Sequence, residues 1–142
     1  RIGAIGTLGN GLYHAKHHED ALTVQEAELS MKRRLGASEH SILVVQTDLA
    51  CTYEGLGRFE EALRMKQDVY ARSLKLDGKE HSSTLVAANN YAASILFLRR
   101  FQEARSLLRK TLPVARRVLG ESDDTTLRMR WTYAEALYSD PA

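Results

Sequence analysis

The chain has 142 residues, of which 44% are hydrophobic and 27% are charged. That length suffices for one domain with a shared hydrophobic core, and no apolar run approaches the roughly 18–20 residues that a membrane-spanning helix needs. The 20 basic and 18 acidic side chains nearly balance, which argues against a surface built to bind nucleic acid. A single cysteine, Cys51, excludes an internal disulfide and predicts a reducing compartment, the cytoplasm.

The first predicted helix, at residues 2–15, has a sequence poorly suited to helix formation. It contains Gly3, Gly6, Gly9 and Gly11. Each glycine costs about 0.8–1 kcal/mol relative to alanine inside a helix. We therefore expect this end either to fray or to be ordered by a neighbouring segment.

A histidine cluster lies where this helix meets the next one. His14 and His18 are four residues apart, a spacing that zinc ligands on a helix often have. The repeat described below places His18 where Phe59 and Phe101 stand, however, and it places His17 in a turn. We therefore interpret His18 as a packing residue and expect no metal and no cofactor.

Six further helices are predicted, at residues 18–34, 42–56, 59–76, 84–98, 101–118 and 125–138. Their apolar residues fall on one stripe, as Ala88, Tyr91, Ala92 and Ile95 do at i, i+3, i+4 and i+7. The connections between them are short, which is typical of antiparallel helical hairpins.

The boundaries of these helices carry residues that helix ends prefer. Acidic residues open the second helix of each hairpin, where the positive end of the helix dipole favours them. A glycine follows three of the helices, at Gly36, Gly78 and Gly120. In the polar connectors, His40, His81 and Asp123 stand at matching positions, and we expect them to cap the helices that follow.

One sequence block recurs about every 42 residues. G-R-F-E-E-A ends at Ala62, and R-R-F-Q-E-A ends 42 positions later, at Ala104. A period of this length is typical of solenoids, whose units bury their apolar faces only by stacking on neighbours. We expect a single solenoid over 1–142, with repeats at 1–40, 41–82 and 83–124 and a half repeat or capping helix at 125–142. Since the chain begins at Arg1 and both ends fall inside a repeat, we expect it to be part of a longer protein.

Further blocks repeat in register, including N-N-Y-A from Asn89, G-K-E-H-S-S-T-L from Gly78 and R-R-V-L-G from Arg116. With the 42-residue period, they resemble tetratricopeptide repeats of the kinesin-light-chain type over essentially the whole chain. The resemblance implies an all-α fold: a right-handed superhelical α-solenoid of antiparallel hairpins, with seven helices. It also implies that the first helix of each hairpin lines a concave face that binds peptides.

The resemblance assigns residues to this groove. Asn89 matches the asparagine that typically holds the backbone of an extended peptide, and Phe97 and Trp131 would supply apolar anchorage. In a longer protein, the next helix could instead cover Trp131. The implied groove residues are Asn10, Thr47, Cys51, Val86, Asn89, Ala93, Leu96, Phe97, Arg128, Trp131, Glu135 and Tyr138.

Three functions are compatible with these features. The favoured one is a protein–protein interaction scaffold that binds a peptide or helical segment of a partner. The alternative is a structural spacer or self-association module of a larger multidomain protein, and the least favoured is a nucleic-acid-binding helical repeat that uses the arginine pairs. Cys51 has no histidine near it in the repeat register, and the glycine-rich stretch lacks the features of a phosphate-binding loop. We therefore predict no catalytic residue, no enzyme activity and no membrane partner.

Overall fold

The computed structural model describes residues 17–140, and every regular element in that range is an α-helix. The helices are α1 (His18–Arg34), α2 (Glu39–Gly55), α3 (Phe59–Asp77), α4 (Ser82–Phe97), α5 (Phe101–Val118) and α6 (Asp124–Tyr138). They agree with six of the seven predicted helices to within three residues at each end. The predicted helix at 2–15, which carries the groove position Asn10, lies outside the described residues.

Side chains of the connectors cap three helices. Ser38 before α2, His81 before α4 and Asp123 before α6 each accept a hydrogen bond from a backbone N–H two or three residues further on. The prediction is confirmed for His81 and Asp123 and wrong for His40. Because α2 begins at Glu39, His40 lies inside its first turn, and Ser38 takes the capping position.

The turn inside each hairpin has one repeated geometry. After both α2 and α4, a backbone N–H bonds to the carbonyl oxygen five residues before it, as Arg100 does to Ile95 at 3.2 Å. The residue before that N–H has a positive φ: 77° at Gly57 and 62° at Arg99. Left-handed backbone costs about 1–2 kcal/mol for a residue with a Cβ. Arg99 therefore adopts a left-handed conformation at a position where the preceding repeat has a glycine, Gly57.

The described residues fall into two compact units that divide within α3, one extending to Val69 and the other beginning at Tyr70. In the first unit, α1 packs against α2. In the second unit, α4, α5 and α6 all pack against one another. The core between α1 and α2 consists of Leu22, Leu29, Ile42, Val45 and Leu49.

Small residues let these helices approach one another closely. The repeat-matched alanines that expose no surface at all are Ala21, Ala50, Ala62, Ala92 and Ala104. Ala134 stands 42 positions after Ala92 and is only partly buried. The face of α6 that carries Ala134 is therefore partly exposed, whereas the face of α4 that carries Ala92 is buried.

Candidate functional site

Three aromatic side chains of α4 and α6 are exposed, and two of them, Phe97 and Trp131, line one surface of the second unit. Phe97, at the end of α4, is 64% exposed, and on α6 Trp131 is 75% and Tyr138 is 88% exposed. Large apolar groups gathered on one surface usually mark a binding site. Next to them lies the α4–α6 groove, a depression of about 430 Å³ lined by Ala93, Leu96, Phe97, Arg99, Phe101, Trp131, Thr132, Glu135 and Ser139.

Five residues that the sequence assigned to a groove line this depression: Ala93, Leu96, Phe97, Trp131 and Glu135. The others on α4 and α6 lie outside its lining. Val86 is 43% exposed, and exposed Arg128 forms an ion pair with Asp124 at 3.0 Å within α6.

Asn89 lies buried where α4 meets α6. Its Oδ1 accepts a hydrogen bond from the Thr132 hydroxyl at 3.2 Å, and that hydroxyl also lies 2.9 Å from the carbonyl oxygen of Arg128. Asn89 is therefore a structural link between the two helices that carry the groove. Its role in holding a peptide backbone, which the resemblance implies, stays a prediction.

The groove contains charges of both signs beside its aromatic groups. The Arg99 guanidinium lies over the Phe101 ring, 5.2 Å from the ring centre, in a cation–π arrangement. The exposed carboxylate of Glu135 also contributes to the lining. The surface is therefore complementary in chemistry to a segment that combines apolar side chains with charged ones.

Two predicted groove residues, Thr47 and Cys51, belong to α2 in the first unit. Both are partly buried, and the Thr47 hydroxyl donates to the Leu43 carbonyl oxygen at 2.8 Å within the helix. Burial raises the pKa of the Cys51 thiol, while Lys66 acts in the opposite direction. The thiol is therefore protonated at neutral pH and is a weak nucleophile.

The sequence also matches models of one known protein family. Profiles described as tetratricopeptide repeat match residues 3–75 and 84–124. The chain belongs to the tetratricopeptide repeat family. No curated protein matches it significantly.

Solved structures share the fold of this tetratricopeptide repeat chain. Two are crystal structures of a Podosopora anserina protein, assigned as a kinesin light chain, with nearly identical TPR-like repeats; one of them is a single-residue variant. Each is 23% identical to the chain and covers 99% of it, with TM-scores of 0.86 and 0.85. BtubC (BKLC) from P. vanneervenii is 20% identical over 99% of the chain, with a TM-score of 0.84. The chain spans 66%, 67% and 57% of the lengths of these three structures.

His18 is a packing residue in this tetratricopeptide repeat protein, as the register predicts. A Cβ added to Gly55 would lie 2.5 Å from Cε1 of the His18 ring, so the ring occupies the space that the glycine leaves. His17, which directly precedes α1, is exposed, and His14 lies outside the described residues. Among residues 17–140, no group of three or more His, Cys, Asp or Glu side chains is arranged to hold a metal ion.

The arginine pairs that would bind nucleic acid contact carboxylates of the repeats instead. Arg100 pairs with Glu103 at 2.9 Å, and Arg117 pairs with Glu80 at 2.7 Å. These contacts offset the positive charge of the pairs, which argues against a phosphate-binding stripe. In the part of the chain that the structure describes, no helix is both long enough and apolar enough to cross a bilayer.

Sequence reasoning missed four residues that line the groove: Arg99, Phe101, Thr132 and Ser139. It considered only the inward positions of the first helix in each hairpin, whereas Arg99 lies in a turn and Phe101 opens α5. One signal was present: Arg99 stands 42 positions after Gly57, where a glycine would be expected. A bulky residue in a left-handed position is often kept for function.

Proposed function

We propose that this chain is a protein–protein interaction scaffold whose α4–α6 groove binds an extended or helical segment of a partner protein. The observation that carries the proposal is the exposure of Phe97 and Trp131 beside that groove. Membership of the tetratricopeptide repeat family supports it, since these repeats generally mediate protein–protein interactions.

The aromatic side chains supply most of the binding free energy in this proposal. Phe97 and Trp131 are held on two packed helices, so little conformational entropy is lost when a partner covers them. Aromatic residues of this kind are enriched among the hot spots of protein interfaces. Arg99 and Glu135 would fix the orientation of the bound segment by pairing with its charged side chains. A short segment that becomes ordered on binding usually reaches micromolar affinity.

Peptide selection provides the test. A library of displayed peptides is selected on the immobilised chain, and the affinities of the selected peptides are measured for Phe97→Ala, Trp131→Ala and the double variant. We expect each single substitution to weaken binding by about tenfold, the loss that 1.4 kcal/mol produces. Val118→Ala is the matched control, because Val118 is 40% exposed on α5 and does not line the groove. Equal affinities for the double variant and the unaltered chain would contradict the proposal.

A further inference from the structure

A cavity of about 280 Å³ lies in the second unit, lined by the C-terminal part of α3, by α4 and by α5. Its apolar walls include Leu74 of α3, Leu85 and Ala88 of α4, and Val114 of α5. Cavities of about this size with apolar walls and a few polar groups are typical of sites for small molecules. It shares no residue with the α4–α6 groove.

Two threonines of the cavity already have hydrogen-bond partners. The Thr84 hydroxyl of α4 donates to the Ser73 carbonyl oxygen of α3 at 3.1 Å, and the Thr111 hydroxyl of α5 donates to the Leu107 carbonyl oxygen at 2.9 Å. Both threonine side chains are buried. Since neither hydroxyl has a proton left to donate, these walls favour an apolar group over a polar one.

Two lysines give the edge of the cavity a positive charge. Lys79, in the connector after α3, and Lys110 of α5 both line it and are exposed. Neither lysine forms an ion pair with a carboxylate within residues 17–140. Glu80, which is next to Lys79 in the sequence, pairs with Arg117 at 2.7 Å. An anionic group at this edge would therefore meet two ammonium groups without displacing a carboxylate.

The space and the charge are both particular to this repeat. Ala88 stands 42 positions after Gln46, a larger side chain that is buried in the first unit. Lys110 stands 42 positions after Asp68, so the charge at that position is reversed. The packing of the repeats therefore requires neither the small side chain nor the lysine.

We propose that this cavity binds a small amphipathic carboxylate, whose apolar chain or ring lies among α3, α4 and α5 and whose carboxylate lies at Lys79 and Lys110. The two ammonium groups repel a cation, and a wholly polar anion such as phosphate would leave the apolar walls in water. The volume corresponds to about nine groups the size of a water molecule. Octanoate, with about ten non-hydrogen atoms, is therefore a probe of matching size.

The test is a titration of the full chain with octanoate, in which NMR follows the methyl groups of Leu85, Ala88 and Val114. We expect saturable shifts at these methyl groups with a Kd on the order of 1 mM, as is usual for a ligand of this size. Octylammonium has the same chain and the opposite charge, so it should bind at least about tenfold more weakly. Inorganic phosphate should not shift these methyl groups.

Exposed lysines provide a matched set of variants. Lys79→Met and Lys110→Met should each weaken octanoate binding about threefold, as the loss of an exposed ion pair does. Lys75→Met is the control, because Lys75 is exposed on α3 and does not line the cavity. Ala88→Gln introduces the residue of the preceding repeat and should abolish the shifts at the other methyl groups. Circular dichroism checks that this variant folds, and the lysine variants decide the question if it does not.

Three outcomes would overturn the inference. The first is no methyl shift with octanoate up to about 10 mM, a range that detects even weak complexes. The second is an equal affinity of octanoate for the two cavity variants and for Lys75→Met, because the lysines would then play no part. The third is binding of octylammonium or phosphate that is as strong as that of octanoate. None of these outcomes bears on peptide binding, because the α4–α6 groove has no residue in common with the cavity.

Discussion

Replacing Thr132 by valine tests the contact that joins the two helices of the groove. The Thr132 hydroxyl donates to Asn89 Oδ1 at 3.2 Å, and both side chains are buried. Valine keeps the shape and removes the donor, so the Asn89 carbonyl oxygen loses its partner. A buried polar group without a partner costs about 1–3 kcal/mol. We expect Thr132→Val to lower the free energy of unfolding by about 1–2 kcal/mol more than a matched control.

The control is Thr111→Val on α5. The Thr111 hydroxyl is buried and donates to the Leu107 carbonyl oxygen at 2.9 Å, and the Thr132 hydroxyl lies at the same distance from the Arg128 carbonyl oxygen. The difference between the two variants therefore isolates the bond between α4 and α6. Urea unfolding gives both values, and a double-mutant cycle with Asn89→Ala should show a coupling of about 1 kcal/mol. Equal losses in the two valine variants, with no coupling in the cycle, would refute the reasoning.

Three further substitutions test other parts of the account by urea unfolding. Gly57→Ala should lower the free energy of unfolding by about 1 kcal/mol, because φ is 77° at this position. Arg99→Ala should lower it by about 0.5 kcal/mol or less, because residue 99 already has a side chain in the left-handed conformation. Equal losses in the two variants would contradict this reasoning. Gly55→Ala should destabilise the fold by about 1–3 kcal/mol, since the added Cβ would lie 2.5 Å from the His18 ring. An unchanged midpoint of urea unfolding would contradict this, because it would mean that the ring moves aside freely. Burial, and then the charge of Glu28, raise the pKa of the Asp48 carboxyl. The folded state therefore binds this proton more tightly than the unfolded state, so stability falls as pH rises through the raised pKa. Asp48→Asn should increase the free energy of unfolding at pH 7 by less than about 1 kcal/mol. The gain should vanish below about pH 3.9, where Asp48 is protonated in both the folded and the unfolded state. A gain that persists in acid would contradict this explanation.

The helices could be predicted because several local signals agree along this chain. The 42-residue period, the apolar stripes and the glycines after helices all indicate the same boundaries, and α1 and α5 begin and end where the sequence predicts. The connector before α2 is the exception. Ser38 and His40 both stand in polar sequence, and only the start of the helix at Glu39 decides which of them is the cap.

The candidate site was less accessible to sequence reasoning, because its geometry depends on contacts between repeats. The resemblance assigned Phe97 and Trp131 to inward positions, and both line the α4–α6 groove. The bond between Asn89 and Thr132 joins residues 43 positions apart, so neither helix shows it alone. The right-handed superhelix stays a prediction, and so do the groove positions on α2.

The central claim is that the α4–α6 groove is where a partner segment binds. Its most direct test is a titration of the isotopically labelled chain with a selected peptide, followed by NMR of the backbone amides and of the Trp131 indole N–H. We predict that the largest shifts occur at Phe97, Trp131 and Glu135, with small shifts along the exposed side of α5. Shifts concentrated on α5 or α1, with those three residues unchanged while the peptide binds, would contradict the account.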